Sequence, residues 1–147
     1  YKLQDNLSKA QINKLRDILI DNFRKGTNIR TINKQIINKV QPGDLTIKIP
    51  TIHDEEGKIL KRGFTRTIPE RIRSLQIART EVIRASNEGA LKIYREENVK
   101  KVRWVAAISE RTCAYCEEQN GQIFNITEAS SLIVPHINCR CRFVAED

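Results

Sequence analysis

The chain has 147 residues, of which 39% are hydrophobic and 30% are charged, and its formal net charge at pH 7 is +8. This length suits one domain, or a small domain with a helical appendage. No run approaches the roughly eighteen consecutive apolar residues of a membrane span, and no signal peptide is recognisable, so we expect a soluble protein made in the cytoplasm with no membrane partner. Because the chain lacks methionine and begins at Tyr1, we also expect it to be part of something longer.

The basic surplus has two interpretations. It can bind the phosphate backbone of a nucleic acid, or it can be the solvated surface of a helical protein. Aromatic residues make up only 5% of the chain, which argues against a platform for stacking single-stranded bases. If the protein binds nucleic acid, we therefore expect weak and nonspecific contact with double-stranded DNA.

Residues 1–43 are predicted to form a helical hairpin. Ser8 and Gln11 have the spacing of a capping box, from which a first amphipathic helix runs to Gly26. Thr27 is predicted to cap a second helix that ends before a Pro-Gly pair. The predicted buried faces consist of Ile12, Leu15, Ile18, Leu19 and Phe23 in the first helix and Ile29, Ile32, Ile36, Ile37 and Val40 in the second. Such hairpins are far more often packing units than DNA-reading motifs.

Residues 44–68 are predicted to form an extended basic arm or a hairpin insertion. The alternation from Leu45 to Ile52 is typical of an edge strand, since Pro50 cannot donate a ladder hydrogen bond. The segment from Lys58 to Thr67 is either the second strand of a hairpin or a mobile loop. Its basic residues are the predicted DNA contacts: Lys58, Lys61, Arg62 and Arg66. Docking on an acidic partner is the other interpretation of this segment.

Residues 69–147 are predicted to form a third region, which begins with a long helix. Pro69 and Glu70 are typical of the first turn of a helix, and apolar residues then recur at helical spacing until Asn98. The predicted buried face consists of Ile72, Leu75, Ala78, Val82, Ile83, Ala90, Ile93 and Tyr94.

Short strands are predicted after the long helix. The clearest runs from Val99 to Ile108 and contains Trp104, which we expect to fill the core against the helix. Asn120 and Gly121 form a dipeptide that favours a hairpin turn, and the segment from Arg140 to Ala145 is the predicted closing strand.

The last third of the chain contains five candidate metal ligands. Cys113 and Cys116 are two residues apart, and His136 and Cys139 repeat that spacing, as in structural zinc sites. Cys141 would lie on the same side as Cys139 in an extended segment and can replace either member of the second pair. Zinc takes four ligands, so one candidate is surplus. The predicted fold is thus α+β, with a helical hairpin and a long central helix packed on a small antiparallel sheet closed by a structural Zn²⁺ site.

Three other interpretations of the cysteines remain open. Two disulfides would have to join the first pair to Cys139 and Cys141, which are too close in sequence to bridge each other comfortably. A thioredoxin-like redox pair would be expected to open a helix, whereas here the pair follows a strand and precedes turn residues. A catalytic zinc would keep one position open for water and need a neighbouring base, and no such Glu accompanies His136.

Several motifs occur together and in one order between Gln76 and Val144. They are the segments IARTEVIRASNEGA, VKKVRWVAAISERTCAYCEEQNGQIF and PHINCRCRFV. In this order they resemble the phage Mu F-like head morphogenesis family, the minor capsid proteins of tailed phages. Ser109 stands where that family often has an aspartate, and the stretch from Leu45 to Thr67 is longer than expected of the family.

The resemblance implies a structural role and not an enzyme. It implies a virion protein in the capsid interior or at the portal vertex, with the portal and capsid proteins as partners, that assists head assembly and DNA packaging or ejection. The alternative prediction is a zinc-dependent nuclease or other nucleic-acid-processing enzyme, in which His136 or Glu117 acts beside the metal. Glu81, in the Arg-Thr-Glu motif, is predicted to pair with Arg84 or Lys100.

Overall fold

The computed structural model describes Gln4 and Asn6–Glu146, so residues 1–3 and 5 of the predicted helical hairpin lie outside the described residues. Helices alternate with small antiparallel sheets, which confirms the predicted α+β class. The chain divides into two compact units, residues 1–78 and 79–147. The domain limits drawn from the sequence stay predictions. None of the described helices is long and apolar enough to cross a bilayer.

Two helices open the first unit. Helix α1 spans Lys9–Lys25, and α2 spans Ile29–Gln35 and continues as a π-helical turn over Ile36–Val40. Apolar residues one helical turn apart pack these elements together. The buried ones are Leu15, Ile18, Ile32, Ile36 and Val40.

The ends of α1 are as predicted, but the start of α2 is not. The capping box of Ser8 and Gln11 is present, and Gly26 closes the helix with a positive φ of 61°. The prediction that Thr27 caps α2 was wrong, because it is the Asn28 side chain that caps this helix and accepts the backbone N–H of Thr31 at 3.0 Å. Both residue types cap helices well, so composition alone did not separate two adjacent candidates.

The buried face of α1 also differs from the prediction at one position. Phe23 is 38% exposed, whereas Asn22 beside it is buried. The Asn22 amide donates to the carbonyl of Ile18 at 2.6 Å and to Gln35 Oε1 at 2.8 Å. A polar residue takes the inner position because it has hydrogen-bond partners there.

A β-hairpin, which we call the arm, occupies residues 45–68. Its inner ladder pairs the first and last strands, and its outer ladder pairs the two short strands, both antiparallel. Only Leu45 and Ile68, at the base, are buried. The strands are β1 (Leu45–Ile49), β2 (Ile52–His53), β3 (Ile59–Lys61) and β4 (Phe64–Ile68).

The two ends of the arm are held together by polar contacts. Asp44 Oδ1 accepts the backbone N–H of Glu70 at 2.7 Å, and Glu70 Oε1 accepts the N–H of Gly43 at 3.1 Å. The buried Arg73 guanidinium donates to the carbonyl of Pro42 at 2.6 Å. The base of the arm is therefore anchored on the first turn of the next helix.

The long helix α3 spans Glu70–Glu96, and Asn98 follows it with a positive φ of 61°. The predicted buried face was wrong at Ile93, which is 57% exposed, and at Ile72, which is 37% exposed. Leu91 is instead fully buried. Most of the predicted face still packs, since Ala78 is buried and Ile83 and Tyr94 lie against the second core, but the helix also buries polar residues. The buried polar residues of α3 are Arg73, Ser74, Thr80 and Asn87.

A three-stranded antiparallel sheet forms the second unit together with the end of α3. Its order is β6-β5-β7, so the strand of Trp104 is central. The strands are β5 (Lys101–Val105), β6 (Ile123–Asn125) and β7 (Arg142–Glu146), and two short helices, α4 (Ala114–Gln119) and α5 (Ile126–Ser131), lie between them in sequence. The predicted central and closing strands are confirmed within a few residues.

Trp104 is the centre of the second core. It is 1% exposed and meets Phe143 edge to face, with ring centroids 5.2 Å apart. Phe124 and Tyr115 also contact it edge-on. Leu91 of α3 and three of the four cysteines belong to the same core, which confirms the predicted structural role of the tryptophan.

Candidate metal centre

Two tight turns carry four of the five predicted ligands. Cys113 is the N-cap of α4, and its sulfur accepts the backbone N–H of Cys116 at 3.4 Å. In the second turn, the N–H of Cys139 donates to the carbonyl of His136 at 3.3 Å. The expectation that the first pair leads into a turn and not a helix was wrong, because the Cys113 sulfur itself caps a helix.

The donor atoms of these residues lie close together. Nε2 of His136 is 3.3 Å from Sγ of Cys113 and 3.0 Å from Sγ of Cys116, whose sulfur lies 3.9 Å from that of Cys139. Donor atoms around a tetrahedral zinc are separated by about 3.6 to 3.8 Å, given the usual bond lengths. The sulfur–sulfur distance of 3.9 Å is close to these values, whereas the nitrogen–sulfur distances of 3.3 and 3.0 Å are shorter.

The five side chains form two overlapping groups that could hold a metal ion. Cys113, Cys116 and His136 make one group, and Cys116, Cys139 and Cys141 make the other, with all donor atoms of a group within 4.8 Å of one another. Cys116 belongs to both. The four cysteines are free thiols, and the 3.9 Å between Cys116 and Cys139 is almost twice the roughly 2.05 Å of a disulfide bond.

A backbone contact fixes the orientation of the imidazole. Nδ1 of His136 lies 2.9 Å from the carbonyl oxygen of Ile137, which can only accept a hydrogen bond. Nδ1 therefore carries the proton, and Nε2 presents its lone pair to the sulfurs. Histidines that bind metals are oriented in this way by a contact at the other ring nitrogen.

The thiols of Cys116 and Cys139 are hard to ionise without a cation. Burial is the main cause that raises the pKa of the Cys116 thiol far above its usual value, and hydrogen bonds to neighbouring cysteines raise it further. Burial likewise raises the pKa of Cys139 to about 11. Both thiols are thus protonated at neutral pH, and a metal ion would displace these protons.

Two buried polar residues of α3 hold the second ligand segment in place. The Thr80 hydroxyl accepts the backbone N–H of Asn138 at 3.1 Å, where Asn138 has a positive φ of 59°. The Asn87 amide donates to the carbonyl of Cys141 at 3.0 Å. Neither residue is predicted from the sequence to have this role. The one feature of the sequence that could have indicated this role is the presence of polar residues in a helical segment whose apolar pattern is typical of a core.

The space beside the thiols is small. A cavity of about 20 Å³ adjoins the cluster, enough for about one water molecule. Glu117, the candidate base of the nuclease interpretation, is exposed on α4 and is not among the described residues that line it. The lining consists of Ala107, Arg111, Thr112, Cys113, Cys116, His136, Asn138, Arg140 and Cys141.

The predicted DNA-contacting residues lie on the arm, and all are exposed: Lys58, Lys61, Arg62 and Arg66. Their placement on the arm leaves their charges accessible to a large partner. Of the two predicted partners of Glu81, Arg84 is confirmed, since its Nε lies 3.2 Å from Glu81 Oε2.

The family model described as Phage Mu protein F like protein matches residues 13–144. This match extends beyond the motifs between residues 76 and 144 and includes the arm and most of α1. No curated protein and no solved structure has a significant match to the chain.

Proposed function

The chain belongs to the phage Mu protein F like family, and from this membership we propose that it acts in phage head morphogenesis as a minor capsid protein. The family match over residues 13–144 is the observation that carries this proposal. We further propose that the protein associates with the portal, inside the capsid or at the portal vertex, and assists head assembly and DNA packaging or ejection.

The test is the protein content of purified heads. Mass spectrometry of heads from the phage or prophage that encodes this chain should detect it at a few copies per particle. Deletion of its gene should lower the yield of DNA-filled heads. Heads that lack the protein, formed at normal yield after deletion, would contradict the proposal.

Within this role, we propose that Cys113, Cys116, His136 and Cys139 hold a structural zinc ion. The donor types, their separations and the orientation of His136 support the assignment. When bound, the ion would link the start of α4 to the segment before β7. Cys139 is chosen over Cys141 because it shares a tight turn with His136, as Cys116 does with Cys113.

Two serine variants separate the candidates for the fourth ligand. Cys139→Ser should lower the zinc content of the purified protein strongly, whereas Cys141→Ser should retain about one zinc per chain. Both replacements remove one buried thiol, so each is the control for the other. The reverse result would place Cys141 in the ligand set.

The proposed zinc site is structural and not catalytic. Three thiolates and an imidazole fill a tetrahedral shell, which leaves no position at which water or a phosphate oxygen can bind. Zinc-loaded protein incubated with DNA and with RNA should therefore leave both intact. Reproducible cleavage that is lost in Glu117→Ala would overturn this assignment in favour of a nuclease.

We also propose weak, nonspecific contact between the arm and double-stranded DNA through Lys58, Lys61, Arg62 and Arg66. Each phosphate contact releases counterions, so binding should weaken steeply as salt rises. Replacing all four residues by alanine should lower the slope of log K against log salt by about 0.9 for each phosphate that the variant no longer neutralises.

A charge-matched control tests whether the arm is the DNA-contacting region. The control replaces four exposed basic residues of the helical region by alanine: Lys9, Arg16, Arg30 and Lys34. Because both quadruple variants lose the same charge, a larger fall for the arm variant assigns the contact to the arm. Equal slopes for the two variants would remove the arm from the proposal.

A further inference from the structure

The outer half of the arm exposes a group of large apolar side chains, which we call the apolar tip. Leu60 is 65% exposed, Phe64 50%, and Ile52 and Ile59 49% each. A single exposed apolar residue needs no explanation, but several within residues 52–64 indicate an interaction site.

No part of the chain that the structure describes covers either face of the outer arm. Every residue of β2 and β3 is exposed, and in β4 only Ile68 at the base is buried. In the inner ladder, Ile49 lies opposite Phe64. A two-stranded hairpin is marginally stable alone in water, so contact with another surface would stabilise the arm.

The bend between the two ladders depends on a glycine. A Cβ atom at Gly63 would lie 2.5 Å from the carbonyl oxygen of Ile49 and 2.6 Å from the nitrogen of Thr51. The N–H of Gly63 also donates to Thr51 Oγ1 at 2.9 Å. Backbone atoms on one side of position 63 thus leave no room for a side chain, and the arm has a defined shape.

The charges of the arm are separated by position. Its acidic residues, Asp54, Glu55 and Glu56, all lie in the turn between β2 and β3, whereas the other charged residues within 45–68 are all lysines and arginines. Phosphates would repel the turn, and the outside of a DNA duplex offers little apolar surface to cover isoleucine and leucine. The apolar tip therefore fits a protein better than DNA.

We propose that the apolar tip docks into an apolar groove on another protein of the phage particle. Charge complementarity defines the groove further, with carboxylates along the strands and a basic group opposite the turn. This inference rests on the proposed function for the identity of the particle. It differs from the proposed DNA contact in its need for the apolar side chains, since the DNA contact needs only the basic ones.

Polar replacement of the tip tests the proposal in the particle itself. In phage that encodes Leu60→Ser together with Phe64→Ser, the copy number per purified head should fall at least tenfold. The matched control is Ile20→Ser with Ile93→Ser, two other exposed apolar residues, which should enter heads at the normal copy number. An unchanged copy number for the tip variant would overturn the inference.

A backbone variant tests the shape of the arm without removing a charge or an apolar group. Gly63→Ala should lower the copy number several-fold, because its Cβ cannot be placed without moving the backbone of residues 49–51 at the bend. Gly89→Ala, on an open face of α3, is the control and should have no effect. Equal incorporation of both variants would contradict the need for a shaped arm.

Two further measurements identify the occupant of the tip. Retention of Leu60→Ser, Phe64→Ser protein on duplex DNA should equal that of wild type, and wild-type protein should sediment as one species at all concentrations. Loss of DNA retention would make DNA the occupant, and tip-dependent self-association would make it a second copy. Either result overturns the inference. Wild-type chain absent from heads would instead refute the proposed function on which the inference rests.

Discussion

The cysteine cluster and the arm are both made of short segments joined by turns, yet they are held in different ways. Residues far apart in sequence meet in the cluster, where Asn87 of α3 bonds to the Cys141 backbone and the thiols are buried beside Trp104. Among the described residues, the strands of the arm pair only with each other, and within 45–68 the arm is buried only at its base. The cluster is thus fixed by a core, whereas the arm is left open to a partner.

The largest effect is expected when zinc is prevented from binding to the cysteine cluster. Cys113→Ser or a strong chelator should unfold the second unit, since structural zinc contributes about 10 kcal/mol or more in zinc-finger peptides. Trp104, the single tryptophan, is buried in that unit, so its fluorescence reports this unfolding directly. Amide exchange in the arm should hardly change, because its ladders are local. Unchanged Trp104 emission in chelator would show that the second core stands without a metal.

The next largest effect is expected from a substitution that leaves a cavity in the second core. Leu91→Ala should lower the free energy of unfolding by about 2 to 5 kcal/mol, measured by urea denaturation followed at Trp104. Ile93→Ala, two residues along the same helix but exposed, should cost less than about 0.5 kcal/mol. Similar losses for the two variants would mean that α3 packs in a different rotation.

Zinc binding should weaken as pH falls. Burial raises the pKa of Cys139 to about 11 and that of Cys116 further, so in metal-free protein both thiols are protonated throughout the neutral range. Each must lose its proton to bind zinc, so at least two protons are released. Affinity should then fall at least about a hundredfold for each pH unit lowered, which corresponds to at least about 2.7 kcal/mol. Calorimetry in buffers of different ionisation enthalpy counts the protons, and fewer than one per zinc would refute the buried-thiol account.

Loss of the helix contacts to the ligand segment should have a smaller effect. Asn87→Ala leaves the buried carbonyl of Cys141 without its donor and should cost about 1 to 3 kcal/mol. Zinc content should persist, but zinc should be lost faster to a chelator. Glu88→Ala, on the exposed side of the helix, provides the comparison. Equal rates of zinc loss would show that Asn87 does not support the site.

The smallest effect on the free energy of unfolding is expected from replacing residues of the apolar tip. Leu60→Ser with Phe64→Ser should change the free energy of unfolding by less than about 0.5 kcal/mol per residue, because neither side chain is buried. Thermal melts of the isolated protein measure this. A large loss would mean that the tip packs on the protein's own surface, which would remove the contrast between arm and cluster.

The features that could be predicted from the sequence are local ones. The capping box at Ser8, the strand around Trp104 and the repeated spacing of the cysteines and His136 each depend on a few neighbouring residues. Buried positions that depend on residues distant in sequence were not predicted. Asn22 is buried in place of Phe23 because Gln35 lies beside it and accepts a hydrogen bond. In α3, Leu91 is buried in place of Ile93 because it packs against a sheet whose strands come later in the chain.

The candidate ligands of the site could be predicted from the sequence, but the residues that hold the ligand segments in place could not. Residue type and spacing singled out the five candidate donors, and the structure brings them together in two overlapping groups, while their binding of zinc stays a prediction. Thr80 and Asn87 were not assigned, since their roles depend on backbone groups far along the chain that only the fold brings near. The helix opened by Cys113 was missed because cysteine is not among the common capping residues.

The most direct test of this account is the metal content of the purified protein, measured together with a count of its free thiols after denaturation in chelator. The account predicts one zinc per chain and four reduced cysteines. Metal-free protein whose cysteines are joined in two disulfides would contradict it.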